Sequence, residues 1–202
     1  LNDICKTIED QKDYLSELDR KIGDGDHGVT MNIGWMAVKE KLSTINPSDG
    51  FHKICTQIAS SFLSAVGASA GPLYATALMR GGGAVKDKNS LDAMSFSLFL
   101  NAAANGIKER GKAEIGDKTM LDVWIPAADE MKKKASEGAN LMEALECTVN
   151  TAENAMNNTK NLLAKKGRSS KLGNRSIGHI DPGAASSFAI INSIFQTLKE
   201  MN

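Results

Sequence analysis

Apolar residues along this chain recur every three or four positions rather than every second one, and that regularity confines the fold to packed helices. Ile4, Ile8, Leu15 and Leu18 make one such stripe. Met120, Trp124, Ala128, Met131 and Ala135 make a second, and Leu141, Leu145, Val149, Ala152, Met156 and Leu163 a third. Each stripe is the face an amphipathic helix turns toward a core. Composition points the same way: Ala, Leu, Met, Lys and Glu dominate while aromatic residues make up only 5%, a poor mixture for strands.

Eight helices are expected, over 3–19, 28–43, 50–66, 70–80, 91–109, 118–137, 140–165 and 183–200. The breaks between them carry turn formers: Asn46-Pro47-Ser48-Asp49-Gly50, Gly81-Gly82-Gly83, Glu137-Gly138 and Asp181-Pro182-Gly183. Short connections imply antiparallel neighbours. No change of composition divides the chain, so residues 1–202 read as one domain, large enough to bury roughly 70% of its unfolded surface. The segment from Lys165 to Ile180 is the exception, rich in Lys, Gly, Arg, Ser and Asn without periodicity. A loop that long inside a compact domain is usually functional or mobile, which makes it a candidate lid.

Lys plus Arg and Asp plus Glu balance at 24 each, so no net field draws the molecule to nucleic acid or an anionic membrane, and any anion must be held locally. Cys5, Cys55 and Cys147 are far apart in apolar helical contexts and show no metal-binding spacing. They read as buried thiols of a reducing, cytoplasmic compartment. The sequence opens Leu-Asn-Asp, without the basic start and apolar run of a secretion signal. No stretch approaches the ~18 uninterrupted apolar residues of a membrane span.

Chemistry concentrates in Asp19-Arg-Lys-Ile-Gly-Asp24-Gly-Asp26-His27-Gly28. A helix ending on Asp19 runs into a glycine-punctuated turn, and the alternate residues Asp24 and Asp26 can point back toward Asp19 because Gly23, Gly25 and Gly28 let the backbone fold closely. Three carboxylates so close repel unless a cation lies among them, and oxygen-only donors favour magnesium or calcium over zinc. A calcium EF-hand beginning at Asp24 is excluded, since its sixth position would be Val29 instead of glycine and its twelfth Trp35 instead of glutamate. The plainer alternative is an acidic helix connection that binds no metal, because Asp-Gly pairs are common turn formers.

Gly28-Val29-Thr30 opens a helix beside these carboxylates, and the free N–H groups of a helix start attract phosphate. Ser69-Ala70-Gly71-Pro72 opens another with small residues that permit close backbone approach, although an ordinary interhelical kink would read the same way. Arg168, in the unperiodic segment, carries a charge that deprotonation cannot remove and could close over phosphates, although a solvated loop arginine with no such role is the commoner case. Gly106-Ile-Lys-Glu-Arg-Gly111-Lys112-Ala113 resembles a P-loop, but alanine replaces the magnesium-binding hydroxyl and the preceding segment is helical. His27, His52 and His179 form no triad with any serine elbow.

Four blocks in order along the chain resemble the L subunit of dihydroxyacetone kinases. They are Leu18-Asp19 with Ile22 to Gly28, Val66 to Tyr74, Gly111 to Glu114 with Gly116 to Trp124, and Asp181-Pro182-Gly183. The resemblance implies an all-α fold, a closed antiparallel up-and-down barrel of eight amphipathic helices with the nucleotide at one rim. It implies that Asp19, Asp24 and Asp26 ligate magnesium, usually two ions, that bridge the phosphates of ADP. His27, Gly28, Val29, Thr30, Ser69 and Ala70 would line the phosphates, Gly111 and Met120 the base and ribose, and Arg168 with Asp181, Pro182 and Gly183 would complete the site. The family more often reads Gly-Gly-Ala-Ser-Gly where this chain has Gly-Ala-Ser-Ala-Gly, which moves the serine by one place.

In that family dihydroxyacetone is held by a separate subunit K. One version uses ATP on a long fused polypeptide, and the other keeps ADP on a free-standing L subunit that a phosphohistidine on subunit M recharges. A chain of this length resembles the second. A direct ATP-dependent kinase domain and a nucleotide-loaded regulatory module that docks on another protein are the alternatives.

Overall fold

The structure is a computed structural model that describes residues 1–46 and 48–201, so Pro47 of the expected turn lies outside the described residues. Among the described residues all regular structure is helical. The α-helices are α1 (Asn2–Asp10), α2 (Lys12–Ile22), α3 (His27–Leu42), α4 (Phe51–Ala65), α5 (Ala70–Ala84), α6 (Ala93–Gly111), α7 (Leu121–Ser136), α8 (Leu141–Asn158) and α9 (Pro182–Met201), with 3-10 segments at Thr159–Asn161 and Ser169–Ser176.

Helix starts follow from local chemistry. Asp92 accepts the N–H of Ser95 at 2.8 Å while Ser95 Oγ accepts the N–H of Asp92 at 2.9 Å, and Asn140 and Glu143 make the same reciprocal pair. These capping boxes satisfy N–H groups that the first turn of α6 and of α8 would leave unpaired. The helices then pack in sequence order from α3 to α9, and α1 rests on both α9 and α3. Trp35, Phe62 and Tyr74 lock α3, α4 and α5 together, with ring centroids 5.8 and 5.7 Å apart. An apolar cavity of about 250 Å³ lies among Ile4, Trp35, Ile58, Tyr74, Leu100 and Ile190.

Four expectations need correction. The helix expected over 3–19 is two helices that meet at Gln11, whose φ of −95° and ψ of 4° interrupt the helical run. The second continues to Ile22 and so places Asp19 inside its last turn. The Gly81-Gly82-Gly83 break is no break, since α5 runs through it to Ala84. A Cβ on Gly81 would press on the Phe99 ring of α6, and one on Gly82 on Cys55 of α4, so these glycines serve three-helix packing rather than a turn.

The helix expected over 140–165 stops at Asn158, and Leu163, placed in its apolar stripe, is 39% exposed. Of the three thiols, all free, Cys5 and Cys55 are buried as expected and Cys147 is only partly so. No helix among the described residues is long and apolar enough to cross a membrane.

Candidate functional site

The connection from α2 to α3 folds around Asp19, which is 8% exposed. Its Oδ2 accepts the N–H of Asp26 at 2.9 Å and of His27 at 3.2 Å. The Asp19 carboxylate thereby caps the start of α3, doing for that helix what its own N-cap side chain does not. Oδ1 lies where the Cβ of any larger residue at 23 would fall, so glycine is required there to leave the carboxylate in place. Gly25 adopts φ 80°, the left-handed backbone that reverses the chain between the next two carboxylates. Gly28 lies flush against the Lys12 carbonyl and Ser16, which brings the start of α3 onto the start of α2.

As a result, carboxylate oxygens of Asp19, Asp24 and Asp26 lie within 4.8 Å of one another. Asp24 and Asp26 remain about half exposed and meet no backbone donor; their partner is Arg168, whose Nη1 pairs with Asp24 and lies 3.4 Å from Asp26 Oδ2. The expected lid segment is folded back on the acidic turn, part of it as the 3-10 segment Ser169–Ser176, and its guanidinium supplies the positive charge that three clustered carboxylates demand. All-oxygen donors of this kind suit a hard divalent cation.

Beside the carboxylates lies a pocket of about 170 Å³ lined by His27, Ser69, Ala70, Leu73, Tyr74, Thr119, Met120 and Gly183. Those residues belong to the starts of α3, α5, α7 and α9, so four helix N-termini converge on one small space. Gly28 and Val29 in the first turn of α3 carry N–H groups without a partner inside the helix. The pocket opens into a larger cleft of about 480 Å³ that shares Ser69, Leu73, Thr119 and Met120 with it and adds Ile107, Arg110, Gly111, Ala113, Lys166 and Gly167. Polar helix starts thus lead into a partly apolar slot.

Beneath the pocket runs a buried polar chain. His27 Nε2 lies 2.9 Å from Ser186 Oγ, which lies 2.9 Å from Tyr74 Oη; Tyr74 lies 3.2 Å from Ser187 Oγ, which accepts the Trp124 indole N–H at 2.9 Å. Burial lowers the His27 pKa to about 4 against the opposing pull of Asp19, so the imidazole is neutral at pH 7, and burial pushes the Tyr74 phenol up to about 12. At the start of α9, Asp181 accepts the N–H of Ala184 at 2.8 Å. Burial raises its pKa to about 7, against that bond and the nearby Lys118.

The structure gathers most, but not all, of the residues singled out from the sequence around these spaces. Asp19, Asp24, Asp26 and Arg168 form the charged cluster, and His27, Ser69, Ala70, Met120 and Gly183 line the small pocket. Gly111 lines the larger cleft, and Gly28, Val29, Asp181 and Pro182 sit in the adjoining first turns or caps, whereas Thr30 faces a separate space with Ile33, Val66 and Gly67. The displaced serine, Ser69, still faces both spaces.

Nothing in the sequence singles out Leu73, Tyr74, Ile107, Arg110 and Thr119 as lining residues of this site. Their positions look like ordinary helix core or surface in sequence, and only the helix packing turns them toward the cleft. The P-loop look-alike is excluded, because Gly111 ends a helix rather than opening one and Lys112 follows in the left-handed conformation at φ 49°.

The DAK2 domain family matches residues 21–196. Among curated proteins, the Escherichia coli (strain K12) "PEP-dependent dihydroxyacetone kinase, ADP-binding subunit DhaL" is 40% identical, over 94% of this chain and 90% of its own length. A Listeria innocua protein of the corresponding name is 38% identical over 98% of this chain and 93% of its length. The human "Triokinase/FMN cyclase" is 33% identical over 98% of this chain, which covers only 34% of that longer protein. The dihydroxyacetone kinase of C. freundii shares the fold, with a TM-score of 0.76 at 21% identity over 96% of this chain and 33% of that one.

Proposed function

The chain belongs to the DAK2 domain family and to the ADP-binding dihydroxyacetone kinase subunits within it, and from that premise we propose that it is the ADP-binding phosphoryl-transfer subunit of a phosphoenolpyruvate-dependent dihydroxyacetone kinase. One nucleotide-binding domain over residues 1–202 works in the cytoplasm between two partners, a phosphohistidine-bearing subunit M and a subunit K that holds dihydroxyacetone. The ring of helix contacts and the central apolar cavity support a closed antiparallel barrel with the nucleotide at its rim.

The observation that carries this reading is the meeting of opposite preferences. Four helix N-termini favour an anion, and three carboxylates beside them favour cations. A diphosphate bridged by divalent metal satisfies both, and neither half alone does.

Asp19, Asp24 and Asp26 are the magnesium ligands, enough for two ions. His27, Gly28, Val29 and Thr30, with Ser69 and Ala70, line the phosphates. Gly111 and Met120 flank the base and ribose, where Leu73 and Ile107 add apolar contact, and the Asp181-Pro182-Gly183 turn closes the far side. When bound, Mg-ADP supplies the diphosphate through which the phosphoryl group is exchanged and the metal charge that such a transfer chiefly requires. Arg168 adds a permanent positive charge over the phosphates, and the neutral His27, held by Ser186, adds none. No nucleophile is needed on this chain, because acceptor and donor belong to the partners.

The test is reconstitution. With subunits K and M and phosphoenolpyruvate, the chain should support steady formation of dihydroxyacetone phosphate. No product would make it a regulatory module, and product from free ATP without phosphoenolpyruvate and subunit M would make it a direct ATP-dependent kinase domain.

A further inference from the structure

Lys118 is a charged side chain only 1% exposed, and no part of the metal or phosphate reading uses it. It sits in a turn with φ 60°, a left-handed backbone that is uncommon outside glycine. Its Nζ donates to the carbonyl of Thr159 at 2.6 Å and to that of His179 at 2.5 Å. Those carbonyls mark the two stems of the segment that leaves α8 and returns to α9, so one ammonium fastens both ends of it to the 116–120 turn.

Further bonds join the same parts. The Lys165 N–H donates to the Asp117 carbonyl at 3.0 Å, the Gly178 N–H to that of Lys160 at 2.7 Å, and the Asp181 N–H to Thr159 Oγ1 at 3.0 Å. Between the stems lies Arg168, which reaches over to Asp24 and Asp26. An apolar side chain would fill the same space without the desolvation cost of a buried ammonium. What it would not supply is two directed donors to carbonyls far apart in the chain.

We propose that Lys118 is a positioning residue that orders the 160–180 segment and, through it, sets Arg168 over the acidic cluster. The role of Arg168 at bound nucleotide rests on the reading in the preceding subsection. The ordering of the segment does not.

Two measurements on the full chain test this. In the first, trypsin cleavage within the segment, which holds Lys165, Lys166, Arg168, Lys171 and Arg175, is timed without nucleotide in wild type and Lys118→Met, alongside thermal melting. Cleavage within the segment is expected to speed up well beyond any rise at sites elsewhere in the chain; equal cleavage rates, or a rise shared equally by all sites as a general loss of stability would give, overturn the proposal.

In the second, Mg-ADP affinity is measured for Lys118→Met, Arg168→Ala and the double variant. Each single change should weaken binding by about tenfold and the pair by about tenfold as well, since both remove one effect, whereas a roughly hundredfold additive loss overturns the proposal. Absence of Mg-ADP binding by wild type would sink the nucleotide reading instead and leave the cleavage result to decide the ordering role. Should Lys118→Met fail to fold, Lys118→Gln, which keeps one donor, runs through both measurements with the same outcomes.

Discussion

The molecule holds two groups of aspartates only a few residues from the same pocket, and they are partnered in opposite ways. At the start of α7, Asp122 accepts the N–H of Gly116 at 2.5 Å with one oxygen and that of Thr119 at 2.7 Å with the other, and in the turn before it Asp117 accepts the N–H of Glu114 at 2.9 Å. Both are buried. In the turn before α3, Asp24 and Asp26 receive no backbone donor and meet only the half-exposed guanidinium of Arg168. Asp19 is intermediate, with Oδ2 committed to two N–H groups and Oδ1 facing Gly23.

The difference teaches that a carboxylate's partners disclose its work. One whose oxygens accept backbone N–H groups holds a turn, and one that meets only an exposed guanidinium is free to take a cation. Both turns are rich in Asp and Gly, so composition alone does not separate them.

The comparison breaks most readily at Asp122. Replacement by Ala deprives two part-buried N–H groups of their acceptor, at roughly 1–2 kcal/mol each, so Asp122→Ala should lose about 2–4 kcal/mol of stability in urea unfolding, while Asp24→Ala loses almost none. Similar losses in the two variants would end the distinction.

Asp181 sharpens it next. Its pKa stands at about 7 in the fold against an ordinary 3.8, so the folded protein retains a proton that the unfolded chain has released. This contribution to stability is complete below about pH 3.8 and is lost as pH rises through about 7. Asp181→Asn, which can still cap α9, should flatten that part of the stability profile measured without nucleotide. A fall of the same size in the variant would assign it to another group. The groups acting on Asp181 are Lys118, Asp122 and Asp19.

The smallest effect belongs to Arg168. Its pairing with Asp24 and Asp26 is largely exposed, so Arg168→Ala should change stability by only about 0–1 kcal/mol while weakening Mg-ADP binding. A large drop in melting temperature would instead give Arg168 a part in the fold.

Much of this was legible in the sequence because it rests on local rules. Helical periodicity gave the class and most of the helices, and the spacing of Asp19, Asp24 and Asp26 about three glycines gave the acidic turn. What was not legible depends on distant packing. Gly81, Gly82 and Gly83 look like a break until Phe99 and Cys55 are seen pressing on the first two. Gln11 interrupts a helix without being Gly or Pro. Leu163 follows the stripe of α8 by spacing alone, after the helix has ended. Lys118 reads as one more surface lysine, and Tyr74 and Ile107 as core, because their partners come from elements far along the chain.

Calorimetric titration of ADP, with and without magnesium, into wild type and Asp24→Ala tests the central claim most directly. Binding should require magnesium in wild type and be abolished in the variant, whose helical circular dichroism stays unchanged. Equal binding without the metal, or undiminished binding in Asp24→Ala, would contradict the assignment of the open carboxylates to a metal-held diphosphate.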